Sequence, residues 1–379
     1  MLIGHISDTH LGLRQYNLEE REEDFYKVYN ELIEKLMEEH VDLIIHSGDL
    51  FESPRPPTKA LLVVQNSVLK LWERGIAFYS IPGGHDQFKR RGLPPHALFE
   101  RLGMKVLTHR NPYDVFRKEG HEVFIGGVQH IPRHLKEALL ALLSQLSNRA
   151  KSYEKRVLVL HQSIKEFFPI DYELSLANLP DNFNYYAMGH IHKRIVRNFG
   201  DGLLAYSGST EAWNRSEYQD YVKNGKGAYI IDISGDVPSL HKVDVSSIRP
   251  HIVEEINAEK FTYQLHRLVN KVKEFKVKPI IHLMVRGPIT SRRLVRSLAS
   301  RILSPYALTI RLEFELERLS EGESILETTS QLNLRDLMYK ELKNARVAEL
   351  AYRLFEALRK ENLEEARKLV REFYNSGFF

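Results

Sequence analysis

The chain has 379 residues, 43% apolar and 27% charged, with 54 Lys+Arg against 50 Asp+Glu for a net charge of +4. That length exceeds one ordinary domain, and a charge surplus this small does not mark a nucleic-acid binder by itself. Cysteine is absent, which excludes disulfides, zinc–thiolate sites and cysteine nucleophiles. The longest apolar runs fall well short of the ~20 residues of a membrane span, and the amino terminus has no signal-peptide character. A cytoplasmic protein with no membrane partner is expected.

In chain order, residues 2–6 read as a strand ending at Ser7-Asp8, and 20–39 as a helix with Phe25, Val28, Tyr29, Leu32 and Leu36 on one face. A strand over 41–46, a helix over 60–74, a strand over 76–81 and a helix over 96–102 repeat the alternation, which predicts a layered α/β core. From residue 122 strands dominate, at 157–160, 185–188, 202–206 and 228–233, so a second sheet packs on the first. The pattern resets near Val245-Ser246-Ser247-Ile248-Arg249-Pro250, where a helix (260–275), a strand (279–285), a helix (291–302) and a strand (308–316) form a βαβ-like unit. Residues 320–330 are polar and aperiodic, as in a linker.

The tail is helical from 334, with Leu337, Met338, Leu342, Leu350, Leu354, Phe355 and Leu358 in one stripe. Asn362 with Glu365 caps a second helix running through Leu369 to Phe373. Such a hairpin has little core of its own, and the linker favours docking on a partner. The fold class is α/β: a two-sheet β-sandwich flanked by helices (1–245), a small α/β domain (246–318), a linker (319–333) and a C-terminal helical hairpin (334–379).

Six short segments carry the chemistry: Asp8-Thr9-His10, Gly48-Asp49, Gly83-Gly84-His85-Asp86, His161-Gln162, Gly189-His190-Ile191-His192 and Gly208-Ser209. Apolar runs lead into most of them, so strand after strand delivers Asp or His to one rim of a sheet, where ligands of α/β sheets gather. Asp8 and His10, two apart, point the same way from an extended strand end, and His190 and His192 repeat the spacing. Any single histidine is more often structural, and His5, His46 and His282 are assigned that role. The other segments count collectively, as the mixed imidazole and carboxylate set that a pair of divalent metals requires.

The series DxH, GD, GxHD, H and GHxH resembles the calcineurin-like metallophosphoesterase superfamily over about residues 1–243. That resemblance implies two metals held over a β-sandwich for phosphate-ester hydrolysis. Carried over, metal one takes Asp8, His10, Asp49 and His192, and metal two takes Asp49, His161 and His190. Where the superfamily places an asparagine ligand, this chain has Gly84. His85 is the candidate proton donor to the leaving oxygen, with Asp86 orienting its ring. Nitrogen and oxygen donors without thiolate favour two manganese ions per subunit over magnesium, iron or zinc.

Three features are similar to the Mre-eleven/SbcD family of DNA-repair nucleases: the run from Leu11 to Asn17 with Arg21–Phe25, the segments Gly48–Pro57 and Gly83–Gly92, and the small α/β domain with a helical tail. The resemblance implies manganese-dependent exonuclease and endonuclease action on DNA ends and hairpins in double-strand-break repair. It also implies a homodimer, a capping domain over 246–318, and a tail that binds an SMC-like ATPase in a nucleoid-associated, prokaryotic setting. Arg14, Gln15, Tyr16, Arg55, Lys89, Arg90 and Arg91 lie in loops beside the motifs, where phosphates would approach. Leu61 and Leu62 with Leu98, Phe99 and Leu102 form a candidate dimer bundle. Leu342, Leu350, Leu354, Phe355, Leu358, Leu369 and Phe373 are the candidate partner contacts.

Two positions depart from the family. Glu52 stands where members often have a histidine, and Gly84 supplies no side chain. A weaker second metal and lower nuclease activity are expected, and a DNA-end-binding scaffold with little catalysis is the alternative. A general phosphodiesterase or protein phosphatase is disfavoured by the cap and the tail.

Overall fold

The computed structural model describes residues 1–88, 92–289, 291–314, 338–339, 342, 344–359 and 363–375. Lys89, Arg90 and Arg91, the expected linker 319–333 and the expected cap Asn362 lie outside the described residues. The chain divides into two compact units, Met1–Leu316 and Glu317–Phe379.

The strands, in chain order, are β1 (Leu2–Ile6), β2 (Leu43–His46), β3 (Ala77–Ser80), β4 (Met104–Val106), β5 (Tyr113–Lys118), β6 (His121–Val128), β7 (Lys155–His161), β8 (Tyr185–Gly189), β9 (Ile195–Phe199), β10 (Gly202–Tyr206), β11 (Gly227–Asp232), β12 (Ser239–Asp244), β13 (His251–Asn257), β14 (Ile280–Arg286) and β15 (Thr309–Phe314). The helices of the first unit are α1 (Glu19–Glu38), α2 (Thr58–Glu73), α3 (Lys136–Ala150), α4 (Arg215–Asn224), α5 (Phe261–Val272) and α6 (Arg292–Leu303). One six-stranded sheet has the order β12–β11–β1–β2–β3–β4 and a second the order β5–β6–β7–β8–β10–β9.

The central strands β1 to β4 pair in parallel, as do β6, β7, β8 and β10. Parallel strands are covered on both faces and read as unbroken apolar runs, which is why their sequences signal strands and their ends signal the site. Between the sheets, Ile3, Leu43, Ile45, Tyr79, Val157, Val159, Tyr185 and Tyr229 form a closed core. Phe25, Val28, Tyr29, Leu32 and Leu36, one face of α1, are buried, and most of them join the core under α1 and α2. Leu139, Leu143 and Leu146 of α3 seal the outer face of the second sheet. The result is the helix-flanked two-sheet sandwich expected from the alternation.

Several elements lie beyond the sequence pattern. The segment 96–102 is not an α-helix but two 3₁₀ turns, Pro95–Leu98 and Glu100–Leu102, opened by Pro94-Pro95 and closed by Gly103 at φ 105°. Phe99, expected at a dimer surface, is instead buried in the core and stacked on Phe51 at 6.1 Å. Strands β5 and β13 carry exposed polar residues that hid their period.

With β13, the third sheet is β13–β14–β15, all parallel, covered by α5 and α6 over Leu265, Leu268, Ile281, Leu283 and Leu303. This segment belongs to the same compact unit as the sandwich.

Buried charge ties them together. Arg21 of α1 is fully buried and donates to Asp24 Oδ2 at 2.6 Å and Ala212 O at 3.0 Å. Arg249, where the chain enters β13, grips the same carboxylate through Nε (2.6 Å) and Nη2 (2.8 Å).

In the second unit, helices Ala345–Arg359 and Leu363–Asn375 pack through Leu350, Leu354, Ala357, Ala366 and Leu369. Asn344 Oδ1 caps the first by accepting from Arg346 N and Val347 N, and the expected start of the tail at 334 lies outside the described residues. Leu350, Leu354 and Leu369 therefore hold the hairpin itself together, whereas Leu342, Phe355 and Leu358 are exposed.

Removing one carboxylate from between two buried guanidinium groups leaves uncompensated charge, which costs about 3–5 kcal/mol. Asp24→Ala is expected to lower unfolding stability by that order in denaturant titrations. A loss under about 1 kcal/mol would show that water reaches the pair.

Candidate metal centre

The loops after β1 and β2 zip together beyond the sheet: Asp8 N donates to Gly48 O (3.0 Å), His10 N to Asp49 O (3.0 Å) and Leu11 N to Leu50 O (2.9 Å). To turn at the rim, Asp8 (φ 51°), His10 (φ 44°), Asp49 (φ 53°) and His190 (φ 90°) all adopt the left-handed region, unusual for residues with side chains. Two glycines permit the close approach of β2, β7 and β8. A Cβ at Gly48 would collide with the His161 ring, and one at Gly189 with Ser47 O.

Among the described residues two donor clusters that share no member result, Asp8, His10 and His192, and Asp49, His161 and His190, each with ligand atoms within 4.8 Å of one another, and a third group, His10, Glu52 and His85, overlaps the first through His10. Asp49 Oδ2 lies 3.2 Å from His161 Nε2 and 3.8 Å from His10 Nε2, so it faces both clusters. Asp8 Oδ1 lies 3.9 Å from His192 Nε2 and 4.0 Å from His161 Nε2.

Each of three histidines is oriented from behind. His161 Nδ1 meets Ser47 O at 2.8 Å, His10 Nδ1 meets Glu52 Oε2 at 2.9 Å, and His192 Nδ1 meets Glu217 Oε1 at 3.3 Å. A hydrogen fixed on Nδ1 leaves the Nε2 lone pair toward the carboxylates, the tautomer a metal needs. His10 Nε2 is buried with no partner.

The electrostatics ask for positive charge. Burial opposes charge on His161, yet Asp49 and Asp8 override it and lift its pKa to about 10. Burial would also raise Asp49, but His161 and His10 hold it well below the carboxylate range. Burial would raise Glu217 likewise, and its bond to His192 and the Lys226 ammonium bring it down to about 2. An unpartnered imidazole nitrogen and two buried carboxylates fit a pair of divalent cations.

The remaining expectations divide. His85 stacks edge-on to His10 at 4.9 Å, and its Nδ1 lies 3.1 Å from Glu52 O. Asp86 does not orient it: fully buried, Asp86 accepts from Leu50 N (3.2 Å), Phe51 N (2.9 Å) and Gly83 N (2.8 Å), locking two site loops together.

Gln15 is not free for phosphate, because its amide is used between Arg21 Nε (2.9 Å) and Trp213 O. Tyr16 is half-buried beneath the Arg311 guanidinium, which lies 5.0 Å from its ring centre. Arg14 is exposed but paired with Glu19 and Glu22, and Arg55 is exposed over the Phe88 ring. Leu62 and Leu98 are exposed, whereas Leu61 and Leu102 are partly buried against the core. His5 and His46 bond to Tyr185 and Thr9, and His282 to His251, which keeps all three in structural roles.

Sequence reasoning passed over Glu217, Trp213 and Ser47. Trp213 packs on His10 (4.4 Å) and His192 (4.9 Å) and walls off the first cluster. The signal for Glu217 was local: Asn214 Oδ1 accepts from Glu217 N at 2.9 Å, an N-cap with its acidic third residue.

Comparison with known proteins agrees with this geometry. The pattern of the calcineurin-like phosphoesterase family matches residues 1–194. A protein of Methanocaldococcus jannaschii named DNA double-strand break repair protein Mre11 is 36% identical over 382 residues, covering 100% of both chains. A namesake from Methanococcus maripaludis is 34% identical over 99% of each chain. Another, from Saccharolobus solfataricus, is 41% identical over 75% of this chain and 74% of its own.

Glu52 holds His10 Nδ1 and sits 3.6 Å from His85 Nδ1. Removing an oriented ligand's support costs about 10–100-fold in metal affinity. Glu52→Ala is therefore expected to weaken the tighter manganese step of a calorimetric titration by about tenfold or more, with little change in melting temperature. Unchanged affinity would show that His10 needs no orienting partner.

Proposed function

Because the chain belongs to the calcineurin-like phosphoesterases and, within them, to the Mre11 family, we propose that it is a divalent-metal-dependent DNA nuclease of double-strand-break repair. The observation that carries this reading is the pair of donor clusters with Asp49 between them, at the rim of the sandwich. Asp8, His10 and His192 would hold one cation, His161 and His190 the other, and Asp49 both. Two such ions, manganese by donor chemistry, supply Lewis acidity toward a phosphodiester and lower the pKa of water.

The chain's own residues do the rest. With Nδ1 turned to Glu52 O, half-exposed His85 keeps Nε2 to pass a proton to the leaving oxygen. Trp213 excludes water beneath His10 and His192. Arg55 and the cap-edge Arg311 meet the phosphate backbone, whose recognition is electrostatic. Exonuclease and endonuclease action on DNA ends and hairpins, in a prokaryotic cytoplasm near the nucleoid, completes the reading. Among the described residues no helix is long and apolar enough to cross a membrane.

The exposed Leu62, Leu69 and Trp72 of α2 with Leu98 are the face for a second copy of the chain. Leu342, Phe355, Leu358, Val370 and Tyr374 are exposed among the described residues of the tail, and an SMC-like ATPase is the proposed partner there. Gly84 favours one second reading, a DNA-end-binding scaffold with weakened catalysis.

Cleavage of end-labelled duplex and hairpin DNA in manganese tests these together. Asp8→Ala and His85→Gln are each expected to cut the rate by about 100-fold or more. DNA binding by the wild type without any cleavage would leave the scaffold. Deleting residues 334–379 is expected to abolish association with the ATPase while Met1–Leu316 keeps its cooperative melting, and unchanged partner affinity would remove the docking role.

A further inference from the structure

The site glycines are not alike. A Cβ at Gly48, Gly83 or Gly189 would collide with neighbouring atoms, but at Gly84 it would make only ordinary contact, and its nearest neighbour is His130 Nδ1 at 3.6 Å. No steric demand of the backbone requires glycine at 84, and its effect is to leave room beside an imidazole.

That imidazole is built into the site. The loop carrying Gly84 holds its backbone on both sides, with His130 N donating to Pro82 O (2.9 Å) and Gln87 Nε2 donating to His130 O (3.0 Å). Its ring centre lies 5.6 Å from that of His190 and 6.0 Å from that of His161. Its Nε2 faces Glu173 Oε1 at 3.6 Å, and Glu173, nearly buried, is itself fixed by Ser163 N at 2.7 Å. Like His10 and His192, His130 has a carboxylate beside one ring nitrogen, but with the nitrogens exchanged: Nε2 lies by Glu173, and Nδ1 lies on the side of Gly84.

We propose that His130 is the ligand that replaces the missing side chain of residue 84, giving its Nδ1 to the second cation beside Asp49, His161 and His190. The ring is not a member of their donor cluster as it stands, and it would reach the ion by turning into the space Gly84 leaves. Glu173 stands behind the ring on the Nε2 side. This inference rests on the two-cation reading and replaces the expectation of a simply deficient second site.

Manganese titration of the full chain by calorimetry, with electron paramagnetic resonance to detect spin coupling between paired ions, tests it without any turnover. The wild type takes two ions with a coupled spectrum. His130→Ala keeps the first ion, weakens the second by about tenfold or more and loses the coupling. Adding Gly84→Asn to His130→Ala restores both. Second-site affinity within about twofold of wild type in His130→Ala overturns the assignment. So does loss of both ions or of cooperative melting that Gly84→Asn fails to rescue, since His130 then acts only in folding. A wild type that takes one ion sinks the two-cation reading itself, and this inference with it.

Discussion

Two buried carboxylates that face the same imidazole, Asp8 and Asp49 on either side of His161 Nε2, set the terms for the rest of the sandwich rim. Charge removed from water is costly unless it is matched by donors or by opposite charge. The surroundings are arranged as that match. Asp8 accepts from Ser7 Oγ at 2.5 Å and from His190 N at 3.1 Å, and Asp49 from His85 N at 2.8 Å. Four imidazoles face the pair, and the left-handed turns at Asp8, His10, Asp49 and His190 are the conformational cost of aiming them. The strain is spread over three strand ends, those of β1, β2 and β8, each pinned by backbone hydrogen bonds to its neighbour or by the sandwich core.

What the sequence made legible follows from this layering. Parallel strands buried on both faces are apolar runs with sharp ends, so Asp8, Asp49, His161 and His190 stood out as the polar residues that stop them. The spacing that puts two side chains on one face identified His10 and His192 as companions. What stayed hidden depends on contacts between distant segments. Glu52 was visible only as an irregularity, and nothing local says that it reaches His10, 42 positions earlier. Asp86 lay beside His85 in sequence and was assigned to it, but a buried carboxylate goes where N–H groups are unsatisfied, and those belong to Leu50, Phe51 and Gly83.

Gln15 and Phe99 share a different lesson. A polar residue in a loop near a phosphate site reads as a ligand-binding group, and an aromatic residue near other leucines reads as an interface. In the fold Gln15 completes the surroundings of the buried Arg21, and Phe99 fills the space against Phe51. Buried arginine was the missing information: a guanidinium with five donors conscripts every nearby acceptor. Arg21 takes Gln15, Asp24, Glu211 and Ala212 O.

The clasp of Arg249 and Arg21 on Asp24 also bears on how such proteins diversify. An insertion at the surface can drift, be exchanged or be lost, because its host closes over the gap. The β13–β15 segment lacks that freedom, since its first basic residue completes a charge balance whose other half lies under the loop that backs Trp213. Losing one partner leaves the other's charge buried and unmatched. A chimaera that grafts the segment onto a foreign sandwich must therefore carry α1, with Arg21 and Asp24, along.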